Sequence, residues 1–173
     1  FKAVVHLIEQ GCRQILHMAG PSGVSTTKKR LEGYQQALAE NGFPQDPSLV
    51  VYCEGGIDIV EAESTMSQLL AQGMHFDGLF ANNDALAIGA VRALKKAGVE
   101  IPQQVAVIGF SDWQIASLVD PPLSSVIQPG YEMGQKAVEL FFEVQANPEM
   151  PSKRIVFNTE PVVRDSSLRH HKS

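Results

Sequence analysis

The sequence is poor in most of the residues that announce a chemistry. Cys12 and Cys53 are its only cysteines and Trp113 its only tryptophan, and its basic runs are short, the last being the terminal Arg169-His170-His171-Lys172. The cysteines form no CxxC pair and stand at no metal-ligand spacing from His6, His17 or His75. They therefore read as plain thiols, buried or half-buried, in a reducing compartment. Lys and Arg number 14 against 19 Asp and Glu, a formal charge of −5. A surface gripping duplex DNA would have to come from elsewhere. There is no apolar stretch of about 18 residues and no leader-like start. Gly20-Pro21-Ser22-Gly23 is not followed by the Gly-Lys-Ser/Thr of a phosphate loop, no GxGxxG follows a strand, and there is no GxSxG. No histidine falls in a strand-exit turn where a catalytic base would be wanted, and nothing marks Asp84 or Asp112 as a nucleophile or acid. The expectation is a non-enzyme without cofactor or metal.

What is present is an alternating pattern. Phe76 to Gly98 holds its clearest unit: Gly78-Leu79-Phe80-Ala81 is an apolar run of buried-strand length, the polar triplet Asn82-Asn83-Asp84 ends it, and Leu86, Ala87, Ala90, Val91 and Leu94 follow at helical spacing. Asn83 or Asp84 is the natural N-cap. The same alternation runs through the chain: a helix to Gln10, a strand at Ile15-Met18, a helix over Ser25-Glu40, a strand at Leu49-Tyr52 and a helix through Ala62, Met66, Leu69 and Leu70. After the central unit come strands at Val105-Phe110 and Ser124-Ile127, a helix over Tyr131-Ala146, and terminal strands at Ile155-Phe157 and Pro161-Val163. This order predicts an α/β fold, a parallel sheet with helices on both faces. With 44% hydrophobic residues the chain can fill one core.

In such a sheet the strand-exit turns converge on one rim, where open α/β folds bind ligands. The turns contribute Ser25, Thr26 and Arg30, then Asn82, Asn83 and Asp84, then Ser111, Asp112 and Trp113, and finally Gln128. These donors and acceptors with one aromatic plate suit a polar, polyhydroxylated small molecule. Each also has a plain structural reading. Asn83 and Asp84 serve as caps, Arg30 pairs with Glu32 or Glu40, Trp113 plugs a lobe edge, and His17 is a satisfied core histidine.

The series GP…RLEGYQQAL, FANNDALAIGA, AGVEIPQQVAVIGFSD, PPLSSVIQPGYEMGQKAVELF and VVRDSS resembles the effector-binding region of the lactose/galactose-repressor family of bacterial transcription regulators. The resemblance spans essentially the whole chain in order. It implies part of a two-lobed, periplasmic-binding-protein-like domain behind a helix-turn-helix that binds operator DNA as a dimer. It places effector contacts at Arg30, Asn83 and Gln128, with Thr26, Ile57 and the residue after Gly109-Phe110 also lining the cleft. That last position is usually Asp in the family; it is Ser111 here with Asp112 next, which leaves both as candidates. Ile57 and Val24 stand where purine-responsive members carry an aromatic and an Arg, which argues against a purine and for a sugar, with Trp113 as a stacking plate.

The resemblance further implies that residues 1–127 form the second lobe, 128–150 a hinge and helix belonging to a missing first lobe, 151–167 return strands, and 168–173 a tail. The chain opens on Phe1 inside a helical pattern, as a piece of a longer protein would. If the fragment stands alone, the helix carrying the stripe Ala137, Leu140, Phe141 and Val144 should swap onto a second copy or be poorly ordered; in a piece cut from a larger structure it should project away from the sheet. Subunits are expected to pair along Ala62, Met66 and Leu70, near Ile88, and around Leu118 and Val119. The reading is a cytoplasmic, effector-sensing part of a regulator. An exported sugar-binding protein of the same fold is the alternative.

Overall fold

The computed structural model describes residues 1–169. Its elements follow the chain as α1 (Lys2–Glu9), β1 (Ile15–Ala19), α2 (Ser25–Glu40), β2 (Val50–Tyr52), α3 (Ile59–Ala71), β3 (Gly78–Ala81), α4 (Asp84–Lys96), β4 (Ala106–Ser111), β5 (Ser124–Ile127), α5 (Gly130–Ala146) and β6 (Pro161–Val162). The sheet order is β2-β1-β3-β4-β5-β6. The first five strands are parallel, and β6 closes the edge antiparallel to β5.

The strands read as continuous apolar runs because both faces are covered, and alternate residues go to different cores. Leu16, Met18, Leu79, Ala81 and Val107 face a core completed by Ala62, Met66, Leu86, Ala90 and Leu94 of α3 and α4. Ile15, Phe80, Ala106, Ile108 and Val126 face the opposite core with Val4, Leu7, Tyr34, Ala37 and Leu38 of α1 and α2. Asp58 starts α3 by accepting the Val60 and Glu61 amides at 2.8 and 3.1 Å. Helices α3 and α4 approach so closely that a Cβ on Gly89 would lie 2.4 Å from the Ile59 carbonyl oxygen. His17 is fully buried, stacked between Tyr34 and Phe80, with Nδ1 3.0 Å from the Phe80 carbonyl oxygen. Burial drives its pKa down to about 4, so it is a neutral core residue. Both cysteines are buried and free.

The C-terminal segment is a clasp. Ser166 and Ser167 are fully buried. Ser166 Oγ donates to the Val107 carbonyl at 2.7 Å and accepts the Ser124 amide at 2.8 Å. Ser167 Oγ donates to Ser124 Oγ at 2.7 Å and meets His6 Nε2 at 2.7 Å. These bonds satisfy polar groups that burial would otherwise leave at a cost of about 1–3 kcal/mol each.

Three expectations need correction. Ile155-Val156-Phe157 forms no strand, since β6 pairs only at Ser125 and Val126 and no ladder extends back to supply partners for residues 155–157. The segment from 168 is not a loose tail at its start: the Arg169 guanidinium donates to the carbonyls of Pro102 at 2.9 Å and Asp77 at 2.6 Å. The rest of the expected tail, 170–173, lies outside the described residues. Ala62 and Met66, expected at a subunit interface, have no exposed surface and pack under α4. As for α5, none of its residues is buried, and Phe141 is 63% exposed, remote from the core of Leu79 and Val107.

Candidate functional site

Arg30 stands on α2 one and a half turns from its start, at the carboxyl ends of the strands. Its Nη1 donates to the Asn82 carbonyl at 2.7 Å, and its guanidinium carbon lies 3.9 Å from the centre of the Phe110 ring. The aromatic ring and the carbonyl hold the group in place, a cation–π arrangement that strengthens as water is excluded. Burial lowers the Arg30 pKa, offset in part by Asp84. The expected partners Glu32 and Glu40 do not reach it; Glu32 pairs with Lys29 at 2.7 Å instead.

Arg30 and Phe110 form a shared wall of two adjoining cavities. One, of about 550 Å³, is lined by Thr26 and Ser25 at the start of α2, Phe80, and Asn158 and Thr159 of the strap before β6. The other, about 330 Å³, is lined by Gln128, Met133 and Arg154. The fold thus brings Thr26, Arg30 and Gln128 together over residues far apart in the chain, with the apolar walls and few polar groups typical of small-molecule sites.

The acids behave differently. Asp84 has no exposed surface: Oδ1 accepts the Ser125 hydroxyl at 2.6 Å and Oδ2 the Trp113 amide at 2.7 Å. Its pKa is raised by burial, which those two hydrogen bonds offset only in part. Gly109 permits this packing, since a Cβ there would lie 2.4 Å from Asp84 Oδ1. As a ligand contact Asp84 is therefore a misreading; it ties α4 to the turn after β4. Asp112 forms an ion pair with Arg164 at 2.7 Å, and its amide donates to Ser125 Oγ at 3.0 Å. Ser111 and Asp112 both have positive φ, 114° and 52°, a strained turn that these bonds hold in place. Asn83 caps α4, its Oδ1 accepting the Leu86 amide at 3.0 Å while Nδ2 donates to the Gly56 carbonyl at 2.8 Å. That second bond fixes the loop carrying Ile57, which is exposed.

Residues 4–167 match the periplasmic binding protein-like domain family. The chain belongs to that family. Within it, the chain is 33% identical over 165 residues to the HTH-type transcriptional regulator CelR of Thermobifida fusca, covering 95% of this chain and 48% of CelR. It is 37% identical over 169 residues to the HTH-type transcriptional regulator AscG of Escherichia coli strain K12, covering 97% and 49%. Among solved structures, a transcriptional regulator CelR–cellobiose complex superposes with a TM-score of 0.90 at 32% identity, covering 96% of this chain and 50% of that one. The chain spans about half the length of the curated relatives it matches, and the resemblance to the lactose/galactose-repressor regulators holds.

Against this family background, the nine residues expected at the cleft divide into three groups. Thr26, Arg30 and Gln128 line the cavities. Asn83, Ile57, Ser111 and Trp113 belong to the strand-exit rim without lining either cavity, Trp113 being 40% exposed. Asp84 and Asp112 are spent inside the protein. Phe110, Lys29, Phe157, Asn158 and Arg154 were not foreseen. Phe110 could have been found, because it is the last apolar residue before a polar strand exit; the strap could not, having no periodicity. Of the expected interface, Leu118 is 77% exposed, Leu70 and Val119 are half-buried and Ile88 is nearly covered. Val60, in the first turn of α3, is 72% exposed and was not foreseen. No helix among the described residues is long and apolar enough to cross a membrane.

Proposed function

We propose that this chain is the later part of the effector-binding domain of a bacterial transcription regulator. The observation that carries the reading is Arg30, held over the Phe110 ring on the wall of a cavity of about 550 Å³ at the carboxyl ends of the parallel strands. The site is read as one that binds and does not transform: among the described residues no hydroxyl hydrogen-bonded to a base lines the cavities, and CelR and AscG are regulators. Their helix-turn-helix names favour this over an exported binding protein of the same fold. A sugar or sugar-derived effector fits the site, in line with the cellobiose bound by the CelR structure.

In this reading residues 1–127 form one lobe with the return segment 151–167, and residues 128–150 cross to the other lobe. The uncovered face of α5, with Phe141, Phe142 and Val138 exposed, is the seat of that other lobe. Effector held between the lobes favours one lobe arrangement, and a dimer passes that preference to helix-turn-helix segments on operator DNA in the cytoplasm. The test is calorimetry on the full-length protein with the effector of the wild type. Arg30→Ala should abolish binding while the far-ultraviolet spectrum stays unchanged, and undiminished affinity would remove Arg30 from the site.

A further inference from the structure

Three buried polar atoms stay unpaired among the described residues: His17 Nε2, Thr27 Oγ1 and Asn82 Oδ1. Their residues are 0%, 1% and 4% exposed. All three belong to one layer. By the alternation of the strands, His17 of β1 and Asn82 at the exit of β3 lie on the side that α2 covers, with Ile15 and Phe80, and Thr27 stands on the inward face of α2 with Tyr34. Gly20 marks where two of them meet: a Cβ there would lie 2.6 Å from Asn82 Nδ2 and 2.9 Å from Thr27 Oγ1. His17 lies beside them, its ring stacked on Phe80 with centroids 4.7 Å apart, close enough for the charge of Arg30 to help lower its pKa.

The protons of these unpaired atoms do not balance. The Phe80 carbonyl can only accept, so His17 Nδ1, 3.0 Å away, carries the ring proton and Nε2 presents a lone pair. Asn82 Oδ1 also only accepts. The Thr27 hydroxyl has one proton to give, so two buried acceptors face one donor, and an acceptor buried without a partner loses the hydration it had in water. A water molecule meets the deficit. It donates to both acceptors and accepts from Thr27, within the two to four hydrogen bonds typical of internal waters.

The cluster adjoins the anchor of Arg30. Asn82 supplies the carbonyl that accepts Arg30 Nη1 at 2.7 Å, and its own amide donates to the Met18 carbonyl at 2.8 Å. Thr27 precedes Arg30 by one turn of α2. Pinning the Asn82 side chain therefore fixes the direction of the carbonyl, and tying Thr27 to it fixes the helical turn from which Arg30 leaves. We infer that Thr27, Asn82 and His17 hold one internal water and act as positioning residues for Arg30. The inference rests on the cleft being the effector site, as proposed above.

The test compares Thr27→Val, which removes the hydroxyl at nearly constant volume, with Thr27→Ser, which keeps it, in the full-length protein. Water-deuteron magnetic relaxation dispersion counts long-lived internal waters. The Arg30 Nε–H resonance, identified by its loss in Arg30→Lys, reports the ring current of Phe110, whose centre lies 3.9 Å from the guanidinium carbon. Thr27→Val should lose one long-lived water and move the Arg30 resonance downfield, toward that of an exposed arginine. Thr27→Ser should keep both. Gly20→Ala, whose methyl would displace the Asn82 and Thr27 side chains, should repeat the valine result and serves if Thr27→Val folds poorly. A packing role alone would lower stability and leave the resonance in place. An unchanged water count in Thr27→Val and Gly20→Ala overturns the water site, and a lost water with an unmoved Arg30 resonance overturns the positioning role. Neither signal involves an effector, so either failure is distinct from the calorimetric result that would remove Arg30 from the site.

Discussion

Arg164 Nη1 and Asp112 Oδ1 lie 2.7 Å apart in a pair whose side chains are 21% and 12% exposed, joining the exit of β6 to the strained turn after β4. The same Nη1 donates to the Leu123 carbonyl at 2.7 Å. Removing one partner of a covered pair leaves the other uncompensated, so Arg164→Ala should lower stability by about 2–4 kcal/mol. A double-mutant cycle with Asp112→Asn, read by urea unfolding, should give a coupling of at least about 1 kcal/mol. Additive losses would mean that the pair does not hold the turn.

Gly89 tests the α3–α4 contact. Alanine in a helix interior ordinarily gains about 1 kcal/mol over glycine. Here its Cβ would stand 2.4 Å from the Ile59 carbonyl oxygen and 2.7 Å from Ala62 Cβ. The first is backbone and cannot step aside cheaply, so overpacking should win and Gly89→Ala should destabilise by about 1–3 kcal/mol. A raised melting temperature would show that the helices separate without cost.

His17 should make stability pH-dependent. Its folded pKa is about 4 against an unfolded value near 6.5. The unfolded chain therefore binds the proton first: the native state keeps its full advantage above about pH 6.5 and loses it as pH falls toward 4, by up to about 1.4 kcal/mol per pH unit. His6, also lowered by burial, contributes with the same sign. Denaturant midpoints of His17→Phe and wild type between pH 7 and 4.5 should show a shallower decline for the variant, even if its stability at pH 7 is lower.

Cys12 and Cys53 should be inert in the native protein. Burial pushes both thiols up to about 11, so hardly any thiolate exists at neutral pH. A thiol reagent at pH 7.5 should label neither in native buffer and both in urea; rapid native labelling would indicate local opening at the site labelled.

Subunit pairing should depend on apolar residues that are exposed here. Val60→Asp together with Leu118→Asp should shift the full-length protein toward monomer in sedimentation experiments, since both side chains are more than two-thirds exposed. Ala62 and Met66 variants should lose stability instead.

Hydrophobic period and turn chemistry determined most of the architecture. Strands β1, β3 and β4 are mainly apolar runs with a helix pattern after each, and Gly11, Gly42, Gly73 and Gly98 end helices or their exit turns with positive φ. Position on the rim was legible too, because a polar residue directly after a buried strand has one end of the sheet to occupy. Arg30 and Gln128 were reachable that way. What the sequence left open was the partner of each polar group. Asp84 and Asp112 look alike as strand-exit acids, yet one is sealed by Ser125 and the other neutralised by Arg164, which stands 52 residues away. Likewise Ala62 and Met66 belong to an apolar stripe whose covering, α4, only the packing reveals, and the 155–157 run is β-branched without a ladder to join. Periodicity states which face of an element is apolar. Which element covers it, and which charge meets which, are long-range contacts that tertiary structure alone decided.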